Sequence, residues 1–151
     1  MSEYSGATPI ARHRWWVPDE LAMYLHNCGV CANPGEEQDE GDTPAVFINR
    51  LADQPDRALA LLAYSEDHTI SDSNPTARIT LLFRGQPDDQ TTPEEDAERA
   101  FTALHEIGGT DMTARLAVLA SRRIINDPPV PDSNRRWHRA DTYELVLAAE
   151  R

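Results

Sequence analysis

The 151-residue chain has no uninterrupted apolar run approaching the ~20 residues that span a bilayer, which excludes a helical membrane protein. Its first residues, MSEYSGATPIARHR, lack the apolar core of a secretory signal, pointing to a cytoplasmic or assembled product. Two cysteines are too few for a disulfide framework, so stability must come from packing. Basic residues are scarce, 14 against 26 acids, and the net charge of −12 makes the outer surface a poor place for nucleic acid to bind. Glycines number only seven beside eleven prolines, a balance that suits short elements joined by stiff turns and excludes collagen. No Walker loop, G-x-G-x-x-G, G-x-S-x-G or H-E-x-x-H is present, so the expectation is a protein without enzymatic activity.

The remaining length suits one domain, over 17–151, preceded by an arm over 1–16 that ends in Arg12, His13, Arg14, Trp15 and Trp16. Paired tryptophans must bury, either on their own domain or on a neighbour. Pro18, Asp19 and Glu20 read as a first helical turn, with Leu21, Ala22 and Leu25 as its stripe and Gly29 as its stop. Residues 33–44 form a solvated acidic loop expected to be mobile. Strands are predicted over 45–50, 57–64 and 77–83, with a polar loop from Ser65 to Asn74 as a candidate contact segment. A helix is predicted over 93–107, with Thr92 and Glu95 as a capping box and Gly108-Gly109 as terminator. Two further strands follow, over 116–125 and 141–148, separated by a turn region, NDPPVPDSN. This order predicts an α+β fold: a mainly antiparallel sheet with two helices packed on one face.

Candidate chemistry is sparse. Cys28 and Cys31, with His26 or His13, have the spacing of half a zinc site, but no second pair completes it, and the pair follows a helix rather than opening one. Two ordinary thiols in a loop is the plain reading; neither a metal nor a cofactor is expected. His68, His105 and His138 are scattered, Ser65 and Ser121 lack a nucleophile context, and Glu94 with Glu98 reads as a solvated helix face. Asp56-Arg57 reads as a local pair fixing a turn. Arg122, Arg123, Arg135, Arg136 and Arg139 concentrate positive charge late in an acidic chain. They either pair with the abundant carboxylates or form a patch facing a subunit or partner.

The segments FINRLADQPDRALALLAY (47–64), ISDSNPTARITLLFRG (70–85) and DSNRRWHRADTYELVL (132–147) resemble, in order, the tail terminator or minor capsid (head-to-tail connector) proteins of long-tailed phages. The shared pattern is a strand leading to a P-D-R-A turn, a second apolar strand, a loop, and a strand ending in Arg. A helix ending in Leu-His and a Tyr-bearing closing strand complete it. The likeness spans roughly residues 17–148. The chain departs from it in a longer Trp-rich arm, the Cys28–Cys31 pair and the acidity of 33–44. The resemblance implies a tail-terminator-like fold and a homo-oligomeric ring, typically a hexamer, at the head–tail junction of the virion. Such a ring contacts the tail tube protein on one side and a head connector or stopper on the other, and DNA passes through it without specific binding. An acidic lumen would repel phosphate. Trp15, Trp16, Arg135, Arg136 and Trp137 are the expected interface contributors, with Asp67 and Asp72 from the Ser65–Asn74 loop as axial or lumen contacts. The alternatives are another neck component, such as a head-side adaptor or stopper, a small Cys-x-x-Cys metal or redox module, and an acidic nucleic-acid mimic acting as monomer or dimer.

Overall fold

The computed structural model describes residues 13–150; the first twelve residues of the expected arm, Arg12 among them, and Arg151 lie outside the described residues. Helix α1 spans Val17–Asn27, followed by strands β1 (Ala45–Ile48), β2 (Ala58–Asp67) and β3 (Thr76–Pro87), helix α2 (Thr91–Leu104), then β4 (Ile107–Asp111), β5 (Ala117–Asn126), β6 (Val130–Pro131) and β7 (Arg136–Leu147). The strands form one sheet in the order β1-β2-β3-β7-β5-β4, with β6 also paired to β7. Only β1–β2 is parallel; every other pair is antiparallel, so the fold is α+β on a mixed, mainly antiparallel sheet.

Both helices lie on the same side. Helix α1 covers β1 and β2, and α2 covers β3, β5 and β7. Beneath them a single apolar cluster joins Val17, Leu21 and Leu25 of α1 and Ala97, Ala100 and Leu104 of α2 to Leu59, Leu61, Ile79, Leu81, Phe83, Tyr143, Leu145 and Leu147 of the sheet. The Tyr24 hydroxyl donates to the Ala103 carbonyl at 3.1 Å and ties the helices together. Strict alternation along β3 and β7 produces this layer, since every second side chain of a strand meets the helices. Strand β2 departs from strict alternation. Ala63, at φ +55°, sits in a bulge between Leu62 and Ser65, and the extra residue turns Tyr64 and Glu66 toward the helix side.

Several elements differ from the sequence reading. Helix α2 ends at Leu104, and Ile107, Gly108 and Gly109 belong to β4 rather than to a helix end. Its first turn is capped by Asp89, whose carboxylate accepts from the N–H groups of Thr91 and Thr92 and from the Thr92 hydroxyl; the expected Thr92–Glu95 box does not form. Desolvation notwithstanding, the Thr92 and Thr91 donors hold the Asp89 carboxyl below its ordinary range. The turn region NDPPVPDSN contains β6, and β7 begins five residues earlier than expected because Arg136–Ala140 also pair with β3. Ser65, Glu66 and Asp67 extend β2, shortening the connecting loop to 68–75. The 33–44 loop holds no strand or helix, but Gln38 folds back to bond the Val46 N–H and so occupies the free edge of β1.

Candidate functional site

Every described arginine of the late cluster has a carboxylate partner; four are divided between the two faces of the sheet, and Arg135 sits in the turn before β7, paired with Asp88. Arg139 and Arg123 project toward the helices. There the fully buried Asp141 accepts from Arg139 Nε at 3.1 Å and pairs with Arg123 Nη1 at 3.3 Å. Arg139 reaches on to Glu94 and Glu98 of α2, and Arg123 lies over the Phe101 ring. Although burial opposes its charge, Asp141 and the α2 carboxylates push the Arg139 guanidinium up. This network rivets α2 to β7 and β5. Its Asp141–Arg139 core is buried, while Glu94 and Glu98 remain exposed at its rim.

Arg136 projects from the opposite face. Its guanidinium pairs with Asp132 at 3.0 Å, Asp53 at 3.1 Å and Asp56 at 3.2 Å, and it donates to the Asp53 carbonyl. Beside it the buried Arg84 donates to four main-chain carbonyls of one turn, those of Ala52, Asp53, Pro55 and Asp56, at 2.7–3.1 Å. The planar fork of Arg suits such a cluster of acceptors, whereas a Lys ammonium does not; all fourteen cations of this chain are Arg. Desolvation works against the Asp132 carboxylate. The N–H groups of Arg136 and Asn134, His138 and the Arg136 guanidinium outweigh it and hold that carboxyl well below its ordinary range. The next residue along, Gly85, must lack a side chain: a Cβ there would stand 2.8 Å from Pro93 Cδ.

Asp56 and Arg57 do not pair with each other. Successive side chains at a strand entrance point apart, so Asp56 joins Arg136, while Arg57 makes a two-pronged pair with the buried Asp96 of α2 at 2.7 and 3.0 Å.

The tip of β2 holds the third charged cluster. The buried Glu66 carboxylate accepts from the Arg14 N–H at 2.8 Å, the Tyr64 hydroxyl and His68 Nε2, with His13 at 3.7 Å. Desolvation raises its pKa, but these donors prevail and keep it below the ordinary range. Arg14 itself donates to the carbonyls of Ala148 and Ser73. The start of the described chain is thus stitched to β2 and to the end of β7. Asp67 accepts from the Thr69 hydroxyl and N–H, which depress its pKa, and Asp72 lies 3.7 Å from His68 Nδ1. Sequence reasoning did not find Glu66, because nothing short of the Ala63 bulge brings it to the helix side.

The expected interface residues are dispersed. Trp15 is 68% exposed, while Trp16 is buried with Arg115 over its ring. Arg135 is exposed and paired with Asp88, Arg136 is buried in the turn cluster, and Trp137 is half-buried opposite Pro131. Trp16 and Arg136 are therefore bonded inside their own chain and present no free surface. Cys31 is buried against the Ala22 carbonyl, and burial, with Cys28 nearby, pushes its thiol up to about 12, a value unsuited to a reactive thiolate. His26 Nδ1 bonds the Cys31 carbonyl. Among the described residues no group of three or more His, Cys, Asp or Glu is arranged to hold a metal ion, and no helix is long and apolar enough to cross a membrane.

On the sheet face away from the helices, Leu51 and Ala52 cover Ala45, Phe47 and Ala58, and the rest is part-exposed among the described residues. Its rows are Thr76 with Val146, Arg78 with Glu144, Thr80 with Thr142 and Leu82 with Ala140, extended onto β5 by Ala120, Arg122 and Ile125. Glu144 accepts from both Arg78 and Arg122 at 3.3 Å. The chain matches no family model and no curated protein.

Proposed function

We propose that this chain is a structural subunit of a long-tailed phage neck, a tail terminator that caps the tail tube as a homo-oligomeric ring and meets a head connector or stopper on its other side. The reading assigns it no catalysis and no cofactor. Its place is the virion, with DNA passing through an acidic lumen.

The observation that carries the reading is the convergence of the residues on which the phage resemblance rests. Pro55 and Asp56 of the P-D-R-A turn, Arg84 at the end of the third strand, and Asp132 and Arg136 of the D-S-N-R-R stretch lie up to 81 positions apart. They meet in one bonded cluster at one end of the sheet. The start of β2, the end of β3 and the start of β7 are neighbours in strand register, and the residues that carry the resemblance bond to one another there.

Quantitative mass spectrometry of purified particles tests the proposal. The expected result is a fixed copy number matching a single ring, six per particle for a hexamer. Particles that are complete and infectious without the chain would overturn it.

A further inference from the structure

We propose that His68 is a proton-operated clasp: charged, it draws the loop after β2 against the buried Glu66, and neutral, it lets that loop go. The clasp needs nothing from the neck reading.

His68 stands between two acids. Its Nε2 meets Glu66 Oε1 at 2.8 Å, and its Nδ1 lies 3.7 Å from Asp72 Oδ1. One acid is fixed and the other is free to move, since the Glu66 side chain is 1% exposed and that of Asp72 is 57% exposed. An ionised carboxylate only accepts hydrogen bonds, so the proton at the Glu66 end sits on Nε2. A neutral ring has no second proton. Its Nδ1 then turns a lone pair toward the Asp72 carboxylate, acceptor against acceptor, and this buried nitrogen has no hydrogen-bond partner among the described residues. A charged ring carries an N–H at both ends and satisfies both acids. The arrangement is complete only with the proton in place.

The groups around the ring leave it as the part that changes. Glu66 is held ionised by the Tyr64 hydroxyl and the Arg14 N–H as well as by His68. Asp67 feels the ring's charge and that of Arg78, but its carboxylate is occupied by the Thr69 hydroxyl and N–H. From the chain start, His13 lies 3.7 Å from Glu66 and is 57% exposed, so its partner is the fixed acid and not the loop. Arg14 spends its guanidinium on the Ser73 and Ala148 carbonyls and on Glu150. Histidine is the side chain that ordinarily changes charge between about pH 5 and 8, a range in which ordinary carboxylates stay ionised. The sign follows: the closed clasp is favoured at low pH and is lost as pH rises.

Both ends of the loop are tied independently of the ring. Thr69 is held by Asp67, while Arg14 holds the Ser73 carbonyl and Asn74 bonds the Leu147 carbonyl. What the clasp governs is the stretch 70–72, which carries Asp72 itself and Ile70, 95% exposed.

Amide solvent exchange measured by NMR on the full chain tests this, with each rate over 70–72 divided by that of an unfolded peptide at the same pH. From about pH 7.5 to about pH 5.5 the corrected rates are expected to fall about threefold or more. H68Q keeps a donor for Glu66 and takes up no proton; D72N removes the second acid's charge at an exposed site. In each, the corrected rates at the two pH values are expected to agree within about 1.5-fold, whereas H13Q is expected to keep the wild-type fall. Circular dichroism checks folding, and should H68Q fail to fold, D72N carries the same expectation. Wild-type rates indifferent to pH, the full fall surviving in folded H68Q or in D72N, or its loss in H13Q would each overturn the clasp.

Discussion

Leu81 and Leu82 are neighbours on β3 and opposites in environment. Leu81 is fully buried beneath the helices, whereas Leu82 is half-buried on the open face between Ala60 and Ala140. The same division runs across the sheet. On the helix side, charge is sunk beneath α2, with Asp141 fully buried between Arg139 and Arg123. On the open side, away from the turn clamped by Arg84 and Arg136, charge stands up into solvent as the Arg78–Glu144–Arg122 bridge. The first arrangement holds the fold together. The second adds little to stability, because exposed pairs are worth ~0–1 kcal/mol, and its cations remain available to a partner.

The largest effect that would sharpen this contrast is expected at Asp141. Asp141→Ala leaves two arginines beneath α2 without their buried acid and should destabilise the fold by about 3–5 kcal/mol in denaturant titration; a loss below about 1 kcal/mol would mean that the helix-side network is ornamental. Next comes the leucine pair. Leu81→Ala should cost about 2–5 kcal/mol and Leu82→Ala less than about 1 kcal/mol, so equal losses from two adjacent residues would break the comparison outright.

Acid should act on both faces. The carboxyls of Asp132 on the open side and Glu66 on the helix side are held below their ordinary values of 3.8 and 4.5. A depressed carboxyl contributes stability that is fully present above its unfolded-state value and is lost as pH falls through its folded-state value. Chemical denaturation from pH 6 downward (about the upper end of the window) should therefore show stability declining below roughly pH 5. The Asp132→Asn variant should show a shallower decline, and an unchanged slope would remove Asp132 from the account. The smallest effect is expected at Tyr143, whose buried hydroxyl has no hydrogen-bond partner among the described residues. Tyr143→Phe should change stability by no more than about 0.5 kcal/mol, in either direction. A larger loss would reveal a bond from that hydroxyl.

What could be read in advance follows from how local each signal is. The stripes of α1 and of α2 up to Leu104, and the alternation of Ile79, Leu81 and Phe83, are written in neighbouring residues, and each predicts its element. The β4 strand was masked because Ile107 continues the α2 periodicity and two glycines imitate a helix stop. The start of β7 was hidden by its charge, since Arg136 and Arg139 look like solvated loop until Asp132 and Asp141 are placed beside them. Asp56 and Arg57 look like one pair in sequence and form two pairs in space, with partners 80 and 39 residues away. Of the expected interface residues, Trp15 stays exposed and Trp16 turns inward, a distinction that two adjacent identical side chains cannot express in sequence. Glu66 escaped notice because its burial depends on a single bulge.

Cryo-electron microscopy of complete particles tests the central claim most directly. The account predicts a ring at the junction of head and tail whose density accepts this seven-stranded sheet and its two helices in each subunit. A junction resolved to the level of side chains, with every density assigned to other polypeptides, would contradict it.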